Sequence, residues 1–426
     1  RVGGGLYSIP WIRTRREGTP PRRSSTGFEH CSFLDLMVVY AFIQITVLVT
    51  RQPSPAGVIQ GLGVLVLLWW SWCFYAWLGS ATARVTTSVR VTTLTAAALA
   101  LLLGIATPQA FSRVPGGLPG PLIVVTCYVA TRVLHIASFW WFARANPGLR
   151  AQVTRAAVPA AAALALLVGA TLTFPEIGKA ISPVSAACWA AALVVDLAGG
   201  YLIGPRNWRI RLLEHWMERY HLIVLIAFGE GFISTGVALA DTPISLAALL
   251  AITFIVTLLA ALWWTYAGTD RLLHQRLPQL SNSRRQAALA RDAYTYLHLL
   301  PVAGLILVAL GLTTTLGQVA ERPAAPLEPL GHAALYGGVL LFLAGDQLIW
   351  WRARGTLCRR RLLGTLVVAL AAPATILLPS LAALVLLAVL GLAVATTTPL
   401  PAVETPPDNQ EAGSRQDLGP PARRTD

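Results

Sequence analysis

Long apolar runs alternate with short, arginine-containing connections along almost the whole chain, and this alternation constrains the fold more than any single motif. Hydrophobic residues make up 55% of the sequence and charged residues 12%, whereas globular proteins average about 25% charged residues. The apolar runs reach roughly 18 residues or more, which is the length of a helix that crosses a bilayer. The sequence therefore predicts an all-α fold, a polytopic transmembrane helix bundle.

Twelve runs are candidate spans, and they divide the chain into four regions. We expect an arginine-rich arm at 1–32, a six-helix half at 33–204, a second six-helix half at 205–397 and a disordered tail at 398–426. The last two spans are joined by little more than Pro379-Ser380, so a re-entrant hairpin is an alternative there. The predicted spans are 33–50, 57–79, 91–111, 121–142, 156–174, 182–204, 220–240, 244–267, 294–316, 332–351, 362–379 and 380–397.

The positions of the basic residues predict the orientation of the spans. The formal net charge is +14, but the arginines lie between apolar segments rather than on one domain, and this excludes nucleic acid as a partner. Of the 33 Lys and Arg residues, 28 lie in the arm, the even-numbered connections and the tail, and 4 lie in the odd-numbered connections. Because basic connections stay inside, both termini are predicted to be cytoplasmic, on a face that attracts anionic lipid headgroups.

Paired tryptophans recur six spans apart. Trp69-Trp70 ends the second span as Trp263-Trp264 ends the eighth, and Trp140-Trp141 ends the fourth as Trp350-Trp351 ends the tenth. This repetition suggests two parallel six-helix repeats, a plan in which transporters bind substrate between the halves. Alternatively, the tryptophans gather at membrane interfaces without any duplication.

Three ionisable residues are expected near the middle of the bilayer. Arg132 lies about eleven residues into the fourth span, and Glu230 reaches a similar depth in the seventh. Because Arg132 cannot lose its charge, it needs a carboxylate, a polar cavity or a bound anion, and Glu230 on the other half is the simplest partner. His135 follows Arg132 on the same helical face. The pair is either a structural clamp or part of a pathway.

Further acids lie in other spans. Asp196 and Asp346 are expected in the inner third of the bilayer. With Glu230 they give three membrane acids against one permanent cation, and this surplus favours a path for a proton or another cation. Alternatively, Asp346 reaches Arg352 or Arg354 at the inner rim. Asp35 belongs to a Ser-x-x-Asp pattern, so capping of the first span is as good an interpretation as transport chemistry.

The seventh span begins with a charged collar, which we define as His215, Glu218, Arg219 and His221. His215, Glu218 and His221 are spaced three residues apart, so two successive members can face the same metal ion. Two ligands are too few to predict a metal site. A solvated helix start with charges near the lipid headgroups is the usual explanation of such a collar. Glycines further along the span are expected to allow close helix packing or to leave room for a small solute. They are Gly229, Gly231 and Gly236.

The connections between the spans contain none of the common enzyme or nucleotide-binding motifs that we considered. There is no Walker loop, nucleophile elbow, zinc-protease motif or dinucleotide fingerprint. The five cysteines form no C-x-x-C pair and mostly lie in apolar runs, so we expect buried thiols rather than disulfides. No cofactor is predicted, and enzymatic activity is disfavoured.

Several motifs together resemble one known family, the bacterial low-temperature-requirement A proteins. In this family's order the chain contains Phe33-Leu34-Asp35-Leu36, Trp69-Trp70-x-Trp72, Pro108-Gln109-Ala110-Phe111, Arg132-x-x-His135, Glu218-Arg219 and Gly229-Glu230. Cys31 and Gln109 stand where the family usually has acids, so a charge relay through those two positions is not expected. The resemblance covers about residues 28–400 and implies a membrane protein, here of the bacterial cytoplasmic membrane, linked to growth in the cold.

Two classes of function follow. The first is a secondary transporter or ion-conducting protein in which Arg132, His135, Glu230, Asp196 and Asp346 line a path for a small solute, a proton or a cation. The second is a non-transporting membrane stress factor, either a sensor or scaffold or an interfacial enzyme acting on lipid. That second protein would work through the collar and the arginine-rich face.

Overall fold

Every regular element found is helical, which confirms the predicted all-α class. The computed structural model describes residues 26–81, 86–172, 181–205, 208, 210–240 and 244–397, without the side chains of 26–32 and 81. No strand occurs within these ranges. The predicted tail and most of the arm lie outside the described residues. The chain forms two compact units: unit 1 takes residues up to 51 together with 63–212, and unit 2 takes 52–62 and the residues from 213 onward.

The first six helices belong to unit 1, except that the first turns of α2, up to residue 62, are assigned to unit 2. Within unit 1, α1 packs on α3, α3 on α4, and α5 on α6. Residues 107–109 add a short 3₁₀ turn after α3, where Pro108 cannot continue an α-helix. The helices are α1 (Thr26–Arg51), α2 (Pro55–Ala81), α3 (Thr87–Ala106), α4 (Gly120–Phe142), α5 (Pro147–Leu172) and α6 (Pro183–Ile203).

Six more helices belong to unit 2. In this unit α9 packs along α10 and α7, while α8 packs on α12. The segment Arg291–Leu297 of α9 is π-helical. The helices are α7 (Leu213–Leu239), α8 (Leu246–Gln279), α9 (Ser283–Glu321), α10 (Pro329–Arg354), α11 (Arg359–Ala374) and α12 (Ser380–Thr397).

Eleven of these helices are long and apolar enough to cross a membrane. The exception is α11, which has 16 residues and is therefore about 24 Å long, shorter than a hydrocarbon core of about 30 Å. It ends five residues before the end of the predicted span 362–379, and a turn over 375–379 leads into α12. The multi-span prediction is confirmed, and at α11 the hairpin alternative fits the observed length better than a full span.

Several helices begin or end beyond their apolar runs. α7 starts at Leu213 rather than near 220, and α8 continues to Gln279 rather than ending near 267. The additional turns carry polar residues such as Asp270 and His274. Polar residues can continue a helix where they face neighbouring helices or lipid headgroups instead of hydrocarbon. These turns bring ionisable groups onto ordered helices.

Glycines allow α9 and α10 to approach closely. A Cβ atom placed on Gly304 or on Gly338 would lie 2.7 Å from the carbonyl oxygen of the other residue. At Gly311 it would lie 2.5 Å from the backbone nitrogen of Leu335. Side chains at these positions would therefore separate the two helices, as in other membrane bundles that pack through small residues.

The paired tryptophans lie in unlike surroundings. Trp69 and Trp70 are buried, whereas Trp264 is 52% exposed. In the second match Trp140 is 40% exposed and Trp350 is buried, although Trp141 and Trp351 are both about half exposed. The repeat of the two halves stays a prediction.

Candidate functional site

A buried ion pair joins α4 to α6 in unit 1. Arg132 Nη2 lies 2.7 Å from Asp196 Oδ1, and both residues are buried. The hydroxyl of Tyr128, one turn before Arg132 on α4, donates to Asp196 Oδ2 at 2.9 Å. Asp196 thus accepts from a cation and a neutral donor at once. The carboxylate that the sequence requires for Arg132 is supplied within the same unit.

Aromatic rings surround this pair. The guanidinium carbon of Arg132 lies 3.9 Å from the ring centroid of Phe74 on α2, a distance at which a cation is attracted to the ring face. His135 is buried, and its ring centroid lies 4.8 Å from that of Phe74. Phe74 therefore contacts both Arg132 and His135, so the predicted shared face of the two α4 residues is directed at one aromatic side chain.

A second buried ion pair lies in unit 2, and its arginine is not one that the sequence suggested as a partner of Asp346. Asp346 on α10 and Arg361 on α11 are both 0% exposed, and Arg361 Nη1 donates to Asp346 Oδ2. The same nitrogen donates to Thr269 Oγ1 on α8 at 2.8 Å. The ring of Trp350 lies 4.9 Å from the guanidinium carbon. Three helices thus meet at one arginine.

This second pair corrects two expectations. Arg361 was assigned to a cytoplasmic connection, so the expectation of three membrane acids against one permanent cation is wrong. The alternative that Asp346 reaches Arg352 or Arg354 is also wrong, because Arg352 Nε instead donates to Asp292 at 2.8 Å. Asp196 and Asp346 each contact an arginine of their own, so the three acids face two buried arginines, and these two aspartates no longer count as a surplus.

Arg361 retains donors that other described residues do not engage. Its Nε and Nη2 atoms are inaccessible to solvent and have no hydrogen-bond partner among the described residues. A buried guanidinium normally uses most of its five N–H donors, since an unsatisfied buried donor costs about 1–3 kcal/mol. Arg361 therefore has N–H donors left over after its hydrogen bonds to Asp346 and Thr269.

A carboxylate held between two histidines adjoins this pair. Asp270 follows Thr269 on α8, and its Oδ2 lies 2.9 Å from Nδ1 of His221 on α7. Its Oδ1 lies 3.5 Å from Nδ1 of His274, one turn further along α8. The histidine side chains are 30% and 37% exposed, whereas that of Asp270 is 11% exposed. The cluster thus joins two accessible imidazoles to a buried carboxylate, and Asp270 directly follows the threonine that binds Arg361.

The π-helical segment of α9 places another histidine beside the same face of α8. The extra residue per turn directs His298 Nδ1 at the carbonyl of Ala293, 2.8 Å away. A neutral imidazole then offers Nε2 as an acceptor, and the hydroxyl of Tyr266 lies 3.2 Å from it. Tyr266 is one turn before Asp270. π-helical turns of this kind are frequent at functional sites.

Glu230 is buried in α7 and accepts a hydrogen bond from Ser234, one turn later, at 2.5 Å. Glu230 belongs to unit 2 and Arg132 to unit 1, so the predicted pair between them stays a prediction. Among the nearby glycines, a Cβ on Gly231 would lie 3.2 Å from Leu259, whereas none of the described residues lies within 4 Å of such an atom on Gly229 or Gly236. Close packing is therefore found at Gly231.

Asp35 does not cap the first helix, and that interpretation is wrong. α1 begins at Thr26, so Asp35 lies more than two turns inside the helix. It is buried and accepts a hydrogen bond from Trp72 Nε1 at 2.6 Å. The extra turns before Phe33 belong to the region that the sequence assigned to the arm.

The four residues of the collar separate into two environments. His215 and Glu218 are more than half exposed, and 3.7 Å separates His215 Nδ1 from Glu218 Oε2. Arg219 is buried, and His221 is turned toward Asp270. Among the described residues no group of three or more His, Cys, Asp and Glu could hold a metal ion.

Comparison with known proteins identifies the family. The model described as "Bacterial low temperature requirement A protein (LtrA)" matches residues 33–396. The chain belongs to this family. It is also 25% identical over 353 residues to a protein of Rhizobium meliloti (strain 1021) called "Uncharacterized protein RA0937", which covers 79% of each chain. No solved structure matches. Membership in the LtrA family confirms the resemblance, and the activity has to be inferred from the buried charges.

Proposed function

We propose that this LtrA-family protein is a secondary transporter or ion-conducting protein, and that unit 2 contains the residues on which transport depends. One observation carries this proposal: Arg361 and Asp346 are fully buried and adjoin the His221–Asp270–His274 cluster through consecutive residues of α8. Ionisable residues are costly inside a membrane protein and usually mark ion or substrate paths.

The cluster has the order that proton or cation movement requires. Imidazole is the side chain that usually carries protons in proteins, and the imidazoles of His221 and His274 are partly exposed. Asp270 contacts both of them, and the next residue inward, Thr269, binds Arg361. The spare N–H donors of Arg361 suit a water molecule or a small anionic solute. Glu230 remains a candidate for the same path in unit 2, and Asp196, Arg132 and His135 remain candidates within unit 1.

The orientation belongs to the proposal as well. We place both termini in the cytoplasm of a bacterial cell, with the protein in the cytoplasmic membrane, because 28 of 33 basic residues lie on one predicted side. The short helix α11 does not alter this, since the turn at 375–379 and the packing of α12 on α11 return the chain to the side where α11 began. A reporter fused after Gly116 should be extracytoplasmic.

Ion flux through proteoliposomes tests the transport proposal. Vesicles containing the purified protein and a pH-sensitive dye receive proton, sodium or potassium gradients in turn. The wild-type protein should dissipate at least one gradient faster than protein-free vesicles, and Asp270→Asn should slow it at least tenfold. Asp346→Asn and Glu230→Gln are measured beside it to locate the path.

Asp292→Asn is the matched control. Asp292 also carries two arginine contacts, to Arg291 and Arg352, but it lies outside the proposed path, so flux should survive. Wild-type flux no greater than that of empty vesicles for every gradient would contradict ion conduction. Equal losses in Asp270→Asn and Asp292→Asn would show that ion-pair loss merely damages the fold.

The second candidate is a membrane stress factor that does not transport. The observation that favours it is the exposure of His215 and Glu218 at the start of α7, where they can reach lipid or a partner protein. In a cold-growth complementation assay, this candidate predicts that His215→Ala with Glu218→Ala abolishes function. Transport predicts instead that Asp270→Asn abolishes it while the collar variant complements.

A further inference from the structure

An apolar groove lies on the surface of unit 1 between α4 and α5. Its volume is about 520 Å³, and every residue that lines it is apolar. The groove exists because α5 presents alanines, one turn apart, opposite larger side chains of α4. The lining includes Val133, Trp140 and Trp141 of α4 and Ala157, Ala161 and Leu164 of α5.

Two arginines stand at one end of this groove. The guanidinium carbon of Arg150 lies 3.9 Å from the ring centroid of Trp140, and that of Arg144 lies 4.5 Å from Trp141. Both tryptophans line the groove. Both arginines are exposed, and the aromatic faces hold the side chains at the groove. Arg144 Nη1 donates to the carbonyl of Trp141 at 3.4 Å, and its other N–H groups can reach a ligand. Arg150 also lies in the first turn of α5, the end of a helix dipole that favours anions.

We infer that this groove binds an anionic phospholipid, with an acyl chain between α4 and α5 and the headgroup phosphate between Arg144 and Arg150. The charges and shape are complementary: an apolar channel fits a hydrocarbon chain, and guanidinium groups bind phosphate oxygens in pairs. Tryptophans at the level of the headgroups are typical of membrane interfaces. This site lies outside the unit 2 cluster and does not depend on the transport proposal.

Native mass spectrometry of the full chain in detergent tests the inference. The probes are phosphatidylglycerol and phosphatidylcholine with the same long acyl chains, titrated separately. Wild-type protein should prefer phosphatidylglycerol, and the variant Arg144→Gln with Arg150→Gln should lower its affinity for that lipid about tenfold while leaving phosphatidylcholine nearly unchanged, since each basic residue contributes to anionic headgroup binding.

Arg284→Gln with Arg285→Gln is the matched control. It removes two exposed arginines at the start of α9, and therefore changes the net charge equally without touching the groove. Lipid preference should persist. An equal loss in both double variants would show diffuse charge attraction and would overturn the site.

Two further arms separate the groove from the headgroup. Ala161 lines the groove and is exposed, so Ala161→Trp should fill the groove without disturbing the core. This variant should bind both long-chain lipids more weakly. Dihexanoyl phosphatidylglycerol, which keeps the headgroup but has short chains, should bind wild-type protein much more weakly than the long-chain form. If the filled variant binds both lipids as wild type does, or if the short-chain lipid binds equally well, no acyl chain occupies the groove and the inference fails.

Discussion

Each unit contains one buried arginine paired with one aspartate, but the two pairs are built differently. In unit 1 Asp196 accepts from both Arg132 and Tyr128, and Phe74 covers the guanidinium. In unit 2 the arginine is the shared group, since Arg361 donates to both Asp346 and Thr269 and keeps N–H donors that described residues do not engage. Arg132 also keeps one donor that described residues do not engage, Nε, whereas Arg361 keeps two, Nε and Nη2. The doubly bonded acid of unit 1 suits a clamp, whereas the arginine of unit 2, with more unengaged donors, suits a site that binds something else.

Position along the helices adds to this contrast. Arg132 lies near the middle of α4, between Gly120 and Phe142. Arg361 lies in the first turn of α11, and Asp346 lies about two turns before the end of α10. The unit 2 pair is therefore near the arginine-rich ends of its helices, where protons and solutes are exchanged with water more readily.

Removing one acid from each pair should have the largest effect. Asp346→Asn and Asp196→Asn each leave a buried arginine without its counter-charge, and the expected loss in the free energy of unfolding is about 3–5 kcal/mol. The loss should be greater for Asp346→Asn, because Arg361 and Asp346 are both 0% exposed, whereas Arg132 and Asp196 are 3% and 6% exposed. Unfolding in a graded series of SDS–detergent mixtures measures both.

Double-mutant cycles make this comparison independent of general damage. Arg361→Gln combined with Asp346→Asn should recover part of the stability lost by either single change, and Arg132→Gln with Asp196→Asn should do the same. Additive losses in unit 2 would mean that Asp346 and Arg361 do not interact, and the contrast between the two pairs would disappear.

The sequence predicted the helices far better than the partners of the charged residues. Apolar runs located all twelve helices, because burial in lipid selects composition over some twenty residues. Asp270 was missed because α8 continues as a regular helix after its apolar run ends. Arg361 was missed because it is the third of three consecutive arginines, and only the rotation of about 100° per residue turns it inward while Arg359 and Arg360 stay exposed.

Depth alone does not identify the acid that Arg132 contacts within unit 1, and the pairing with Glu230 stays a prediction. Glu230 lies at a similar distance along its span, but Asp196 is the acid on a helix that contacts Arg132 within its own unit. Pairing depends on which helices are neighbours and how they are rotated, and neither follows from the length of apolar runs. Tyr128, one turn before Arg132, was the available signal, since two polar residues at that spacing face one direction.

Removing one hydroxyl from each pair should have an intermediate effect. Tyr128→Phe takes a donor from Asp196, which keeps Arg132, whereas Thr269→Val takes an acceptor from Arg361, which then keeps Asp346. Hydrogen bonds to charged groups are worth about 1.5–3 kcal/mol. We expect Thr269→Val to lie at the upper end of that range and Tyr128→Phe at the lower end, measured by the same unfolding series.

Thr265→Val controls for the loss of a threonine from α8. Thr265 is buried one turn before Thr269, but its hydroxyl donates to the carbonyl of Ala261 on the same helix, so its removal should change stability little. If Tyr128→Phe proved the more damaging variant, the acid of unit 1 would be less saturated than its contacts indicate.

Removing the ring that covers each arginine should have the smallest effect of these changes. Cation–π contacts contribute about 0.5–2 kcal/mol, more when desolvated. Arg132 lies 3.9 Å from the Phe74 ring and Arg361 4.9 Å from the Trp350 ring. The coupling energy between Phe74 and Arg132 should therefore be larger than the coupling energy between Trp350 and Arg361. The relevant quantity is the coupling energy, obtained by repeating each change in an Arg132→Gln or Arg361→Gln background.

Phe232→Leu supplies the baseline for this last comparison, because Phe232 is 46% exposed on α7 and its replacement removes an aromatic ring of the same size. Its cost should be the same with and without Arg132. A larger coupling energy for Trp350 with Arg361 than for Phe74 with Arg132 would contradict the contrast between the two pairs. The Trp350 ring would then stabilise Arg361 in place of the missing hydrogen bonds. The unit 2 pair would have no more capacity to bind a solute than the pair in unit 1.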